Sequence, residues 1–132
     1  MLMNMNKVLV QLLAVGAAGF AGAVTRWAVT VLFGRMFLTR FPLGTLFINV
    51  SGSFFLGWFL TYIGPTRHPT TDTLRLAIAT GFVGAYTTFS TWMYDSGNLM
   101  EQGAVIEAWV NVVGSLALGL LAVWAGVALG RR

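Results

Sequence analysis

Residues 80–93 read Thr80-Gly-Phe-Val-Gly-Ala-Tyr-Thr-Thr-Phe-Ser-Thr-Trp-Met93, and the fold turns on how they are read. The stretch lies inside a hydrophobic span, yet it holds Gly81 and Gly84 and groups Thr87, Thr88, Ser90 and Thr91 around Phe89. Glycine and clustered hydroxyl residues resist an unbroken helix, glycine through backbone entropy and the hydroxyls by competing for backbone partners. In lipid every N–H and C=O must be satisfied, so irregular backbone survives at bilayer depth only where protein buries it or water reaches it. Gly84 to Thr88 is therefore expected to break a membrane span into two half-helices. Such a break leaves free carbonyls at the end of the first half and free N–H groups at the start of the second, which together make an ion site. Pieces of roughly a dozen residues on each side still reach across a bilayer core of ~30 Å.

Composition agrees with a membrane setting. Of 132 residues, 57% are hydrophobic and 9% charged, and the mean hydropathy is +0.77. That leaves too little polar surface to cover a soluble domain. The length accommodates four spans of ~20 residues with short connections, so the expectation is an all-α integral membrane protein forming a single domain. A bundle this thin encloses little alone, and a protected pathway would need an oligomer. With no cysteine, disulfides and thiolate metal sites are excluded. The net charge of +4 comes from few residues, as is ordinary for a membrane protein, and no nucleic-acid partner is read from it.

In chain order, Lys7 precedes an apolar run over 8–33, longer than a signal peptide and read as the first span. Gly16, Gly19, Ala23 and Arg26 recur there at helical spacing, a small-residue stripe expected to pack against another helix. Arg26 lies near the end of that span. It reads either as an interfacial cation whose stem snorkels or as an ion ligand. Residues 43–63 form an uncharged second span in which Thr45, Asn49, Gly52, Ser53 and Gly57 share one strip. Asn49 offers two N–H donors and one acceptor. It could bridge helices or donate to an anion.

The turn over 64–72 holds Pro65, Pro69 and the chain's single histidine, His68, which has no Cys or second His beside it to suggest a metal cluster. The broken third span covers 73–100. Its second half puts Phe89, Trp92 and Ser96 on one face and Thr88, Thr91 and Asp95 on a neighbouring strip. The fourth span covers 104–130, with Asn111, Ser115, Ala122 and Gly126 along one side and Gly114 and Gly119 beside them. Arg131 and Arg132 follow at the membrane surface.

Four segments then carry a family resemblance: Gly19-Phe-Ala-Gly-Ala-Val-Thr-Arg26, Gly44-Thr-Leu-Phe-Ile-Asn49-Val-Ser-Gly52, Gly81-Phe-Val-Gly-Ala-Tyr-Thr-Thr-Phe-Ser-Thr91 and Gly114-Ser115. In order and spacing they resemble the Fluc (CrcB) fluoride channels, from the first glycine stripe to the fourth span. The resemblance implies an antiparallel, dual-topology homodimer in the cell's inner membrane, with two fluoride pores and a structural sodium ion at the centre of the interface. It also implies passive export of fluoride that enters cells as the neutral acid. By the same resemblance the sodium site falls on the backbone carbonyls of Gly84 and Thr87, and the fluoride pore on Asn49, Phe89, Ser90, Thr91, Trp92 and Ser115. Arg26, Thr45 and Asn111 become vestibule or structural positions. Carbonyl oxygens are hard donors suited to a hard monovalent cation. An aromatic edge carries partial positive charge and can face an anion without holding it as tightly as a formal cation would. This chain departs from the family pattern at Trp92, where a second pore phenylalanine is usual, at Ala85, in place of a glycine in the break, and at Asn111, in place of an aromatic or imidazole side chain. Without the resemblance, Phe89 and Trp92 read as lipid-facing or packing residues.

In the four-span arrangement Lys7, Arg67, Arg75, Arg131 and Arg132 fall on one side and Arg26, Arg35 and Arg40 on the other, a bias of five to three. So mild a bias is compatible with dual insertion, or with a fixed orientation that would require a homologous, oppositely oriented partner subunit. Other classes fit less well. A small multidrug exporter also uses four short spans, but proton coupling needs a carboxylate deep in the membrane. The first two spans have none, and Asp95 and Glu107 sit towards span ends. A structural accessory subunit explains the small-residue stripes but not the hydroxyl run. An enzyme needs an acid, base or nucleophile constellation, and the chain offers no convincing one.

Overall fold

Long apolar runs interrupted only by proline, glycine and short polar turns leave the backbone no partner but itself, and the chain is accordingly helical. The computed structural model describes residues 5–64 and 69–132. Among them there is no strand. Three helices are long and apolar enough to cross a membrane: α1 (Met5–Met36), α2 (Leu43–Ile63) and α6 (Val105–Gly130). Between α2 and α6 lie α3 (Pro69–Arg75), a π-helical segment (Leu76–Val83), the single turn α4 (Gly84–Tyr86) and α5 (Phe89–Glu101).

The boundaries follow local chemistry. Helix α1 runs three residues beyond the expected 8–33 at each end, and at about 1.5 Å per residue it is longer than the hydrocarbon core is thick. Helix α2 stops at Gly64, whose φ of 65° suits a residue without a Cβ. Gly103, at φ 76°, makes the turn from α5 to α6 in the same way. Helix α3 starts at Pro69 rather than at the expected residue 73, because proline's fixed φ and missing N–H suit a first helical position. The expectations for Pro65, Arg67 and His68 lie outside the described residues. The π-helical segment, where the Gly84 N–H reaches back to Ala79 O, has no counterpart in the sequence reading.

Close backbone approach organises the packing. In α1 the tight position is Gly22, where a Cβ would run into the Phe82 carbonyl, with Gly19 in ordinary contact with Gly81. A Cβ on Gly81 would in turn lie 2.7 Å from Val15 O. The stripe expected through Gly16 and Ala23 is thus rotated towards Val15, Ala18, Gly19 and Gly22, and Gly16 itself meets nothing. The widened π-helical turns bring the Gly81–Phe82 backbone onto this face. Helices α2 and α6 meet through Gly57, whose Cβ would lie 2.6 Å from Val123 O, and through Gly126 against the Phe54 carbonyl. Such small-residue contacts are how helices associate where lipid removes the hydrophobic drive between them.

Polar contacts fix the two ends of the bundle. At one end Lys7 Nζ pairs with Asp72 at 3.7 Å and Arg75 Nη1 donates to Gly64 O at 3.1 Å, with Gly130 packed against Thr61. At the other, Gly44 packs on Phe33 and Thr45 Oγ1 donates to Asp95 Oδ2 at 2.7 Å. Large apolar side chains such as Leu12, Phe20, Trp27, Ile106, Leu116 and Trp124 point outward, whereas Asn111 is fully buried. An apolar exterior around a partly polar interior is the arrangement of a protein solvated by lipid.

Candidate pore site

The non-helical backbone between α4 and α5 is confined to two residues. Thr87 (φ −76°, ψ 160°) and Thr88 (φ −151°, ψ 122°) are extended, while Gly84 is helical (φ −61°, ψ −34°). The irregular stretch is therefore shorter than Gly84–Thr88. Glycine at 84 does not force a break, and Ala85 continues the helix through Tyr86.

Contacts from α2 and from within the segment hold this kink. Asn49 Nδ2 donates to Thr88 O at 2.9 Å, and Asn49 Oδ1 accepts from Thr88 N at 2.8 Å. Ser51 Oγ shares a hydrogen bond with Tyr86 Oη at 2.9 Å. Thr87 Oγ1 donates to Val83 O at 2.9 Å, and Gly52 lets α2 come so close that a Cβ there would collide with Thr87 Cγ2. The Thr88 hydroxyl then caps α5 by accepting from Thr91 N at 3.2 Å and donates to Thr91 Oγ1 at 3.0 Å. One consequence bears on the carbonyls. In a continuous helix the Thr88 N–H would serve Gly84 O; here it serves Asn49, so the Gly84 carbonyl loses that donor. Gly84 is also exposed on the outer face of a single copy.

Beside the kink lies a cleft of about 450 Å³ whose lining includes Asn49, Thr87, Phe89, Trp92 and Ser115, with Leu116, Leu120 and Val123 among its apolar walls. Five residues singled out in the sequence thus converge. Phe89 is 71% exposed and Trp92 only 7%. Their rings meet edge to face, with centroids 5.5 Å apart and planes at 74°, so one ring presents its electropositive edge to the other's face. The Trp92 indole N–H is turned away from the cleft and donates to Asn111 O at 3.1 Å.

The remaining residues lie elsewhere. Ser90 is exposed and is not part of this lining. Thr91 lines a second cleft, of about 310 Å³, together with Thr45 and Asp95. Asn111 has no exposed surface and lies within the bundle. Arg26 is half-buried on α1 and lines neither cleft. Ser51 and Tyr86 were not singled out in the sequence. Ser51 lies two residues after Asn49 and one before Gly52, and Tyr86 directly precedes the hydroxyl run, positions that gave no periodic signal. The pairing of Thr45 with Asp95 was equally hidden, although each lay on a recognised polar strip.

Neutral amides, hydroxyls and aromatic edges gathered at the kink, inside a helical multi-pass membrane protein, define the class as a membrane transport protein. Residues 13–127 match the family model described as CrcB-like protein, Camphor Resistance (CrcB). The chain is 49% identical over 117 residues to the fluoride-specific ion channel FluC 2 of Geobacillus kaustophilus, covering 88% of this chain and 89% of that one. It is 43% identical over 118 residues to the fluoride-specific ion channel FluC of Acidobacterium capsulatum, covering 89% and 94%. To the FluC of Methylococcus capsulatus it is 46% identical over 123 residues, covering 92% of this chain but 53% of that longer protein. The chain belongs to the CrcB-like family, a family of ion channels rather than enzymes.

Proposed function

We propose that this protein is a fluoride-specific channel subunit that lets fluoride leave the cell passively and so lowers cytoplasmic fluoride. The observation that carries the reading is the cleft at the kink, where Asn49, Phe89, Trp92 and Ser115 converge without a charged side chain among its lining. The names of the relatives supply the ion. Fluoride is small and strongly hydrated, so a path must replace its water yet release it. Asn49 uses one Nδ2 hydrogen on Thr88 O, which leaves the other to face the ion. The edges of Phe89 and Trp92 add weak positive potential, and the Ser115 hydroxyl adds a donor. Ser90 and Thr91 continue the track along α5, and Arg26 and Thr45 belong to its approaches.

In this reading Pro69–Tyr86 and Phe89–Glu101 together make one further, broken crossing between α2 and α6. Two copies inserted in opposite orientations in the inner membrane form a homodimer with two pores, lipid covering the outer apolar faces. A structural sodium ion fits at the kink. The Gly84 carbonyl has lost its helical donor on a residue that is exposed in one copy, the Thr87 carbonyl follows in extended backbone, and a second copy supplies the same pair again. Sodium would contribute a fixed positive charge holding these hard oxygens together.

The test is cellular. Expression in a bacterial strain lacking fluoride export should restore growth in millimolar fluoride and lower intracellular fluoride measured by 19F NMR. Growth restored with unchanged intracellular fluoride, or no restoration by correctly inserted protein, would refute the reading.

A further inference from the structure

Between α5 and α6 runs a buried hydrogen-bond network whose proton directions follow from its own connectivity. Ser96 Oγ donates to Trp92 O at 2.8 Å, so its single proton is spent and it offers only a lone pair to Asn111. The atom facing it must then be Nδ2, which donates at 2.9 Å. That fixes the amide: Oδ1 points to Ser115, an amide oxygen has no proton to give, and the Ser115 hydroxyl donates to it at 3.3 Å. The Asn111 backbone carbonyl also takes the Trp92 indole N–H.

Ser115 lines the cleft, but its proton is therefore turned towards Asn111. At 3.3 Å the bond is long for O–H···O, whose usual distance is about 2.7–2.8 Å, and weak in proportion. We propose that Asn111 is a positioning residue that sets how strongly the cleft holds an anion, by giving the Ser115 hydroxyl a weak internal acceptor that the anion must outcompete. An anion that accepts hydrogen bonds strongly recovers the donor at little cost, and a weak acceptor such as chloride does not. The same acceptor takes the proton back as the anion leaves, which favours release. Asn111 never touches the ion, since it is fully buried. Ser96 anchors the amide in the orientation that makes this work.

The inference rests on the fluoride reading, and the two can fail separately. Reconstituted protein is assayed for initial fluoride efflux over a range of fluoride concentrations, with chloride in parallel. Asn111→Leu removes the acceptor at similar volume and should lower the half-saturating fluoride concentration roughly two- to tenfold, the worth of one neutral hydrogen bond. Fluoride preference over chloride should fall with it. Ser96→Ala loosens the amide without touching the cleft, should shift the value in the same direction by less, and keeps the test alive if Asn111→Leu is not recovered as folded protein. Both shifts should vanish in a Ser115→Ala background, because a residue acting through Ser115 has nothing left to act on. Equal shifts with and without Ser115, or a changed maximal rate at constant half-saturation, would mean that Asn111 only packs. Absence of any fluoride efflux from the unsubstituted protein would overturn the channel reading and this inference with it.

Discussion

Asn49 and Thr88 are joined amide to backbone, with Nδ2 donating to the Thr88 carbonyl at 2.9 Å and Oδ1 accepting from the Thr88 N–H at 2.8 Å. A neighbouring strand would offer an extended residue the same two bonds, and in a helical membrane protein no strand is at hand. The side chain thus makes extended backbone tolerable where water is scarce. It also removes the donor that would otherwise cover Gly84 O, so one residue both lines the cleft and uncovers a carbonyl proposed for the sodium site.

Asn49→Leu should therefore do more than delete a pore donor. The Thr88 N–H and C=O lose their partners, at about 1–3 kcal/mol for a buried group left unsatisfied. We expect a lower unfolding temperature in detergent together with loss of fluoride flux. A variant as stable and as conductive as the parent would show that the kink does not depend on this pair.

Sodium bound through Gly84 and Thr87 carbonyls would be a structural ion, not a driving one. Raising sodium in place of a bulky organic cation should increase the thermal stability of the protein in detergent. Fluoride flux should persist with sodium equal on both sides. Transport that runs only down an imposed sodium gradient would contradict this assignment.

The ring pair separates electrostatics from packing. Phe89 is 71% exposed in a single copy, so Phe89→Ile should cut fluoride flux strongly with little change in stability. Trp92 is buried, and its two substitutions divide. Trp92→Phe keeps a polarised edge and gives up only the indole bond to Asn111 O, so measurable flux is expected. Trp92→Ile removes the ring and should lose flux as Phe89→Ile does. Its stability loss should stay below the ~3–5 kcal/mol typical of cutting a buried Trp back to Ala. Equal flux from the two Trp92 variants, both dimeric, would remove this ring from the ion path.

Close approach between α1 and the π-helical segment can be probed at one atom. A Cβ at Gly22 would strike the Phe82 carbonyl, backbone that cannot swing aside, whereas at Gly114 it would meet nothing. Gly22→Ala should destabilise by about 1–3 kcal/mol, as overpacking does, and Gly114→Ala should not. Thermal melts in one detergent compare them directly.

The apolar runs made the three long helices legible, because an uninterrupted hydrophobic stretch of that length has few alternatives to a membrane helix. The hydroxyl run located irregular backbone to within a few residues. Its limits were not readable, since Gly84 permits a helix as readily as it permits a break, and Thr87 and Thr88 are extended only because α2 supplies Asn49. The π-helical turns left no trace in a 3.6-residue pattern. Phe89, Trp92, Asn49 and Ser115 could be named from the family pattern. That the Trp92 N–H faces Asn111 rather than the cleft depends on two helices meeting, and spacing along one chain carries no such information.

The most direct measurement of the central claim is ion efflux from liposomes containing the purified protein, with fluoride and chloride followed by selective electrodes under identical gradients. The account predicts rapid fluoride loss, negligible chloride loss, and no requirement for a sodium or proton gradient. Comparable rates for the two anions, or no fluoride loss from vesicles shown to contain folded protein, would contradict it.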